Sequence, residues 1–298
     1  MGEWIDLLDP SPEELQEHLP SGLHESDLGQ LHAVGAGGRP RLAAHDDHVF
    51  GVLLAAVVDT PADDVYYQEI DVVITRDLLL TVRKTTPGKT AFDAGPARAI
   101  RRPGDSVGHC FYRLCDDVAD RYLDAVDDLE EEIGDLEDRV ETWSASEVSL
   151  RIRGLRHQIL HVRRTLGPMR DAIRTVADGR IDISWSDDVG RGIEHEFAGV
   201  YDRLLRATEG LELAHDLLAG ARDYYQAQVA QDQNEIVKRL TAIASILLVP
   251  TFIVGLYGQN FRDIPEFQWG IWGYIWSWGL ILVTTALQVW YFRRRRWL

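Results

Sequence analysis

Two apolar stretches near the C-terminus, each about as long as a membrane span, constrain this chain more than any other feature. The first, Leu240 to Leu256, reads LTAIASILLVPTFIVGL, and the second, Trp269 to Phe292, reads WGIWGYIWSWGLILVTTALQVWYF. A helix needs roughly 20 apolar residues to cross about 30 Å of hydrocarbon, and both stretches approach or exceed that length. Twelve residues separate them, so the two form a hairpin with Tyr257-Gly258-Gln259-Asn260 at its tip. Arg293 to Arg296 follow the second stretch. A basic run at a membrane exit reads as cytoplasmic, which puts both chain ends inside and the Tyr-Gly-Gln-Asn loop outside. Two helices alone cannot enclose a polar path, so any path needs several copies of the chain around it.

Charge is sharply divided. Residues 236–298 hold seven basic residues against Asp263 and Glu266, a balance of +5, and since the whole chain carries −17, residues 1–235 carry −22. An acidic body disfavours nucleic acid, whose affinity comes largely from Lys and Arg on phosphates, and it suits cations. Residues 1–235 are long enough for a sizeable soluble core. The start, MGEWIDLLDP, has no basic region and no apolar signal segment, so the soluble part is expected in the reducing cytoplasm. Cys110 and Cys115 stand five apart, which matches no zinc or redox spacing.

Three regions follow. Residues 1–105 mix helix and strand signals and are expected to form an α/β domain with a mixed or parallel sheet. Ser11-Pro12-Glu13-Glu14 has a cap, a first-turn proline and acids at the positive dipole end. Val49 to Val58, Glu69 to Ile74 and Leu78 to Val82 read as buried strands. Residues 106–235 form a long helical region and stalk. Apolar residues step by threes and fours through Val118, Tyr122, Leu129, Ile133 and Leu136, then Leu155, Ile159, Val162, Leu166 and Met169, then Ile193, Phe197, Val200, Leu204 and Leu211, the seams of packed helices. Ala177 to Arg180 break the second helix from the third. With no proline between Pro168 and Pro250, the third is expected to run unbroken for about 60 residues into the membrane. Residues 236–298 are the transmembrane hairpin, its loop and a basic tail.

The tip and the helix before it carry the chemistry. Gly258 lets the backbone turn at a helix end without a side-chain clash. Neutral amide oxygens such as that of Asn260 can grip a hydrated cation through its water shell, where fixed charges would bind too tightly for exit. Asp263 and Glu266 in the loop attract cations toward it. Going back by threes and fours from the tip gives Thr251, Leu248, Ala244, Thr241, Val237 and Asn234, one face that continues to Asp223. It is mostly small or apolar, as suits a conduit that can close by dewetting. Pro250 leaves the Ile246 carbonyl without its usual donor.

Other candidates have plainer readings. Residues 116–141 hold thirteen acidic side chains against Arg121 and Arg139, either a solvated helix face or a loose reservoir for cations. His157 and His161, spaced i,i+4, fall on outer heptad positions and are expected to face solvent. His45-Asp46-Asp47-His48 reads as a polar turn before a strand. There is no phosphate-cradling glycine loop and no Gly-x-Ser-x-Gly elbow, so nothing points to an enzyme or an organic cofactor.

Several of these residues together resemble the CorA-type magnesium transporters, which have two membrane helices and a Gly-x-Asn signature. The likeness lies in Asn234-Glu235-Ile236-Val237-Lys238, Pro250-Thr251-Phe252, Gly258-Gln259-Asn260-Phe261, Ile264-Pro265-Glu266 and Trp297-Leu298, and more weakly in Trp4-Ile5-Asp6 and Leu80-Thr81-Val82-Arg83. Where the family usually has Met, this chain has Gln259. The resemblance implies a homo-oligomeric, pentameric funnel in the plasma (inner) membrane, with Gly258, Gln259 and Asn260 as selectivity filter and Mg²⁺ as both cargo and cytoplasmic regulator. Asp223 matches an aspartate at the corresponding place in the family, and is the expected regulatory ligand. The superfamily includes a zinc branch, so a Zn²⁺, Co²⁺ or Ni²⁺ transporter is the nearest alternative. A membrane-anchored coiled-coil scaffold without transport is the other.

Overall fold

The computed structural model describes residues 2–33, 37–59, 64–100, 105–183, 187–259 and 265–298. By packing, the chain divides into Met1–Ala221 and Arg222–Leu298.

In the first unit, strand β1 (Glu3–Leu8) leads to helices α1 (Pro12–His18) and α2 (Glu25–His32), and then to strands β2 (Arg41–Ala44), β3 (Val49–Asp59), β4 (Asp64–Ile74) and β5 (Leu78–Lys84). The sheet order is β1-β5-β4-β3-β2. β2 to β5 form an antiparallel meander, because short connections join neighbours. β1 alone pairs in parallel, Trp4 opposite Leu79 and Asp6 opposite Thr81. The sheet is therefore mixed, its parallel part confined to one edge, and the chain from β1 to the far edge strand β2 passes through α1 and α2.

Strand alternation sorts the core into two faces. Phe50 and Val52 of β3, Val73 of β4 and Leu80 and Val82 of β5 join Leu15 of α1 and Leu31 of α2 in one cluster. Ser11 caps α1, its Oγ accepting from the Glu14 N–H at 3.1 Å. α4 (Val107–Arg139) packs on β3 and β5, and α5 (Ala145–Ala177) on β2 and β3; the short helix α3 (Gly95–Ala99) precedes them. Ser106 caps α4, and Ser144 with Glu147 makes a reciprocal capping box at α5. The heptad residues of α4 and α5 named above are all buried, as are Ile193 to Leu211 of the third series in α6 (Asp187–Tyr257), whose spacing continues through the buried Ala214, Leu218 and Ala221. Phe111 of α4 meets Phe197 of α6 with ring centroids 5.5 Å apart. Cys110 and Cys115 are both buried and free, and burial pushes the Cys115 thiol well up, consistent with packing rather than reactivity.

The α1–α2 face also buries a charge network. Lys84 Nζ lies 2.9 Å from Glu69 Oε1 and 2.6 Å from Asp71 Oδ2, and donates to the Gln30 carbonyl at 2.6 Å. Burial raises Asp71 from 3.8 to about 7 in spite of Lys84. Burial also acts to raise Glu69, but hydrogen bonds from Lys84 and from the Gly38 and Gly37 N–H groups outweigh it and hold Glu69 below its ordinary value. One ammonium thus serves two carboxylates, and Asp71 is the one that keeps a proton. Between its unfolded and folded values the native chain holds a proton that the unfolded chain has released, so stability from Asp71 falls as pH rises through that window. Asp71→Asn is expected to melt at or above the wild-type temperature at about pH 8 and to flatten the rise in melting temperature expected of the wild type on acidification from about pH 7 to 5. A clear drop at pH 8, followed by circular dichroism, would mean that the ionised carboxylate is required.

Candidate cation path

The second unit holds the C-terminal part of α6, a 3₁₀ turn at Pro265–Trp269 and α7 (Ile271–Arg294). α6 is a single helix of 71 residues, longer than the 60 or so expected, and Pro250 does not end it. α7 buries none of its residues within the chain, and little of the apolar part of α6 is buried. An apolar surface of that extent is untenable in water, and both helices are long and apolar enough to cross a membrane. α7 places Trp272, Tyr274, Trp276 and Trp278 toward one end and Trp290 and Tyr291 toward the other, the interfacial positions of a spanning helix. Its 24 residues cover about 36 Å at 1.5 Å each. At its C-terminal end, Arg294 sits over the Trp290 ring at 5.4 Å and Arg295 over Tyr291 at 5.8 Å.

Gln288 of α7 donates to the Ser245 carbonyl at 3.2 Å, which marks the side of α6 that meets α7. Ala242, fully buried, and Ile253, 7% exposed, lie on that side. Asn234, Val237, Thr241, Ala244, Leu248 and Thr251 are each exposed or half-buried, and Val237, Ala244, Leu248 and Thr251 turn away from Ala242 and Ile253 by helical periodicity. The Thr241 hydroxyl donates to the Val237 carbonyl at 2.8 Å and that of Thr251 to Leu247 at 2.7 Å. Both hydrogens are thereby used inside the helix, and the oxygen lone pairs remain for water or hydrated cargo. Asp223 lies on the same face, exposed, with Arg222 Nη2 3.1 Å from its carboxylate.

At the tip, the Gly258 N–H bonds the Val254 carbonyl at 2.9 Å and the Gln259 N–H reaches the Leu256 carbonyl at 3.3 Å. A Cβ at Gly258 would lie 3.1 Å from the Val254 carbonyl oxygen, so a larger residue there would require the closed helix end to give by a few tenths of an ångström. Asn260 and Asp263 lie outside the described residues. Glu266 belongs to the 3₁₀ turn, with its side chain half-buried. Tyr257, Gly258, Glu266, Gly273, Tyr274 and Trp278 help line a largely apolar cavity of about 540 Å³ at this end of the hairpin.

Gly273 was not signalled by sequence, since a glycine in an apolar helix reads as ordinary membrane packing. Its missing Cβ would fall 2.1 Å from the Glu266 carbonyl oxygen, so the turn folds back onto α7 only because nothing projects there. Gly273→Ala is expected to displace the turn, at a cost of about 1–3 kcal/mol as overpacking. The expected readout is a lower melting temperature of the detergent-solubilised oligomer, whereas Gly279→Ala, with open space around its Cα, should melt like wild type. Equal melting of both would refute the close approach.

Elsewhere the acidic helix α4 is only partly a solvated face. Burial, with Asp124 and other nearby acids, raises Asp117 and Asp120 above the ordinary range. Arg203 bridges Asp116 and Asp120, and Arg151 pairs with Glu132 at 2.9 Å. His157 is exposed as expected, but His161 is half-buried, its ring 5.0 Å from that of Tyr67. The His45–His48 segment is not merely a polar turn either: both rings converge on Asp27 of α2. The alternation that makes Phe50 and Val52 inward-facing, carried back two residues to His48, was the available signal.

A family model described as "CorA-like Mg2+ transporter protein" matches residues 2–294. The cobalt/magnesium transport protein CorA of Thermotoga maritima is 27% identical over 87% of this chain and 73% of its own length. A zinc transport protein, ZntB of Yersinia pseudotuberculosis, is also 27% identical, over 64% of this chain and 56% of its own. The complete structure of the CorA magnesium transporter from Methanocaldococcus jannaschii superposes with a TM-score of 0.82 at 24% identity, over 99% of this chain and 91% of that one. It has the same arrangement of an α/β domain, long helices and two C-terminal apolar helices. The apolar hairpin, the glycine-closed helix end and the match over almost the entire length agree: the chain belongs to the CorA-like Mg²⁺ transporter family, a family of divalent-cation transporters rather than enzymes.

Proposed function

We propose that this chain forms a homopentameric channel of the plasma (inner) membrane that takes up Mg²⁺ down its electrochemical gradient and closes when cytoplasmic Mg²⁺ is high. The observation that carries this reading is the exposed face of α6 on which Asn234, Thr241 and Thr251 stand among small and apolar residues. A plain anchor or scaffold does not need polar groups there, whereas five such faces around an axis would make a wet path. Gly258 turns the chain at the mouth, Gln259 and Asn260 present amide oxygens, and Asp263 and Glu266 raise the local cation concentration. Residues 1–105 and 106–235 are the cytoplasmic domain and stalk in this reading, and 236–298 the hairpin, with both termini inside. The inward pull is ample, since two charges across 100 mV are worth about 4.6 kcal/mol.

Zinc as the main cargo is the second reading, favoured by the zinc-transporting relative and by Gln259 in place of the usual Met. Expression in a bacterial strain stripped of its own Mg²⁺ uptake systems tests the first. Growth should be restored at low external Mg²⁺, and a well-expressed, membrane-inserted chain that restores none would count against Mg²⁺ uptake.

A further inference from the structure

The N-terminal layer brings three metal-ligating side chains to one point. The His45 N–H bonds the His48 carbonyl at 2.8 Å and closes the connection between Ala44 and Val49, which are partners across the β2–β3 hairpin. Their spacing across this turn stacks the two imidazoles, with centroids 4.6 Å apart and planes 19° apart. His48 heads the inward series of β3 and is 4% exposed. Asp27 faces inward from α2, one turn before Leu31, and is also 4% exposed.

Both imidazole Nε2 atoms lie 3.2 Å from the same oxygen, Asp27 Oδ2. His48 makes a hydrogen bond to it. His45 Nε2 is buried and has no aligned hydrogen-bond partner. The three ligand atoms fall within 4.8 Å of one another. An outer layer holds the group in place. Ser26 Oγ donates to Asp27 Oδ1 at 3.2 Å and contacts His24 Nδ1 at 2.9 Å, and the His24 ring stacks on His45 at 5.6 Å.

A buried carboxylate requires a counter-charge. Among the described residues, the ion-pair partners of Asp27 are these two histidines, which are neutral unless protonated. A dication held by two imidazole nitrogens and the carboxylate would supply that charge. Two ligands of a tetrahedral zinc, with bonds of about 2.0–2.1 Å, stand about 3.4 Å apart, close to the two nitrogen–oxygen separations of 3.2 Å. Three protein ligands with an open fourth position are a zinc-type set, whereas Mg²⁺ prefers an octahedron of oxygens. His45 is 31% exposed and offers an entrance, and the exposed Asp46 and Asp47 beside it favour the approach of cations.

We propose that Asp27, His45 and His48 form a binding site for a first-row transition dication, Zn²⁺ foremost, that clips the β2–β3 turn to α2. It differs in chemistry from the proposed path for Mg²⁺, and does not depend on the chain conducting Mg²⁺. The test uses tag-free full-length protein in detergent, with Co²⁺ as the probe. Nitrogen-ligated tetrahedral Co²⁺ absorbs strongly in the visible, and hydrated Co²⁺ only weakly. Wild type should show such bands at one Co²⁺ per chain, displaced by stoichiometric Zn²⁺ and retained in excess Mg²⁺. His45→Ala and the near-isosteric Asp27→Asn should each weaken binding at least about tenfold and remove the rise in melting temperature that Zn²⁺ gives the wild type. Circular dichroism checks that both variants remain folded, and His45, at the rim, can be lost without opening the core. No Co²⁺ bands in wild type, or equal affinity in folded variants, would overturn the site.

Discussion

Asn260→Ala should abolish Mg²⁺ flux while leaving the assembled oligomer intact. In the proposed filter the substitution deletes a whole ring of amide oxygens at the mouth, one per subunit. An alanine ring offers the hydrated ion nothing to replace contacts with its surrounding water, and dehydrating Mg²⁺ instead is prohibitive. A fall of at least about a hundredfold in uptake corresponds to about 2.7 kcal/mol, modest for the loss of several hydrogen bonds to a dication. Size-exclusion chromatography of the variant should match wild type, because Asn260 follows a helix end that Gly258 and Gln259 already close with their own backbone bonds. Near-normal flux in a correctly sized oligomer would remove Asn260 from the filter.

The second large effect is expected at Asp223. Residues 1–235 carry −22 by the division of charge above, and bringing five copies together, as in the proposed pentamer, multiplies the repulsion. Mg²⁺ held between acidic faces would offset it and draw the α6 helices together around the path. Loss of the ion would let the subunits separate, and an α6 that runs without break from Asp187 to Tyr257 provides the mechanical link. Asp223 stands exposed on the face that also carries Asn234 and Thr241, with Arg222 as its neighbour within the chain. Asp223→Lys should reduce inhibition by cytoplasmic Mg²⁺ by about tenfold or more and weaken the protection from trypsin that Mg²⁺ confers, with Asp223→Ala intermediate. Unchanged inhibition together with unchanged protection would take Asp223 out of the gate.

Much of the fold could be read from periodicity because its cause is local. Steps of three and four through Leu155, Ile159, Val162 and Leu166 describe a helix face wherever the helix docks, and all four are buried. The runs at Val49 and Leu78 likewise read as strands. Pairing could not be read in this way. The parallel contact of Trp4 with Leu79 joins residues far apart in the chain, and nothing local to either specifies the partner. Buried polar groups were hidden for a related reason. Gln68, Glu69 and Asp71 are all less than 1% exposed, yet charges within a strand pattern ordinarily suggest a solvent face. Lys84 and the Gly37 and Gly38 N–H groups make the burial of Glu69 and Asp71 tolerable, and the Phe92 N–H donates to Gln68; these partners are identified only once the sheet and its connections are in place. His45 and His48 were obscured in the same way, since Asp27 comes from another element. At the tip, Gly258 was apparent from its place after an apolar helix, whereas the need for Gly273 depends on the carbonyl of Glu266 across the turn.

Uptake into liposomes tests the central claim most directly. Purified protein is reconstituted around a Mg²⁺-sensitive dye, an inside-negative potential is imposed, and Mg²⁺, Zn²⁺, Co²⁺ and Ni²⁺ are presented in parallel with dyes suited to each. A Mg²⁺ channel should give a rapid, protein-dependent Mg²⁺ signal that grows with the potential and is lost in Asn260→Ala. Entry of Zn²⁺ without entry of Mg²⁺ would contradict that cargo, and no flux of any cation through intact oligomers would contradict transport itself.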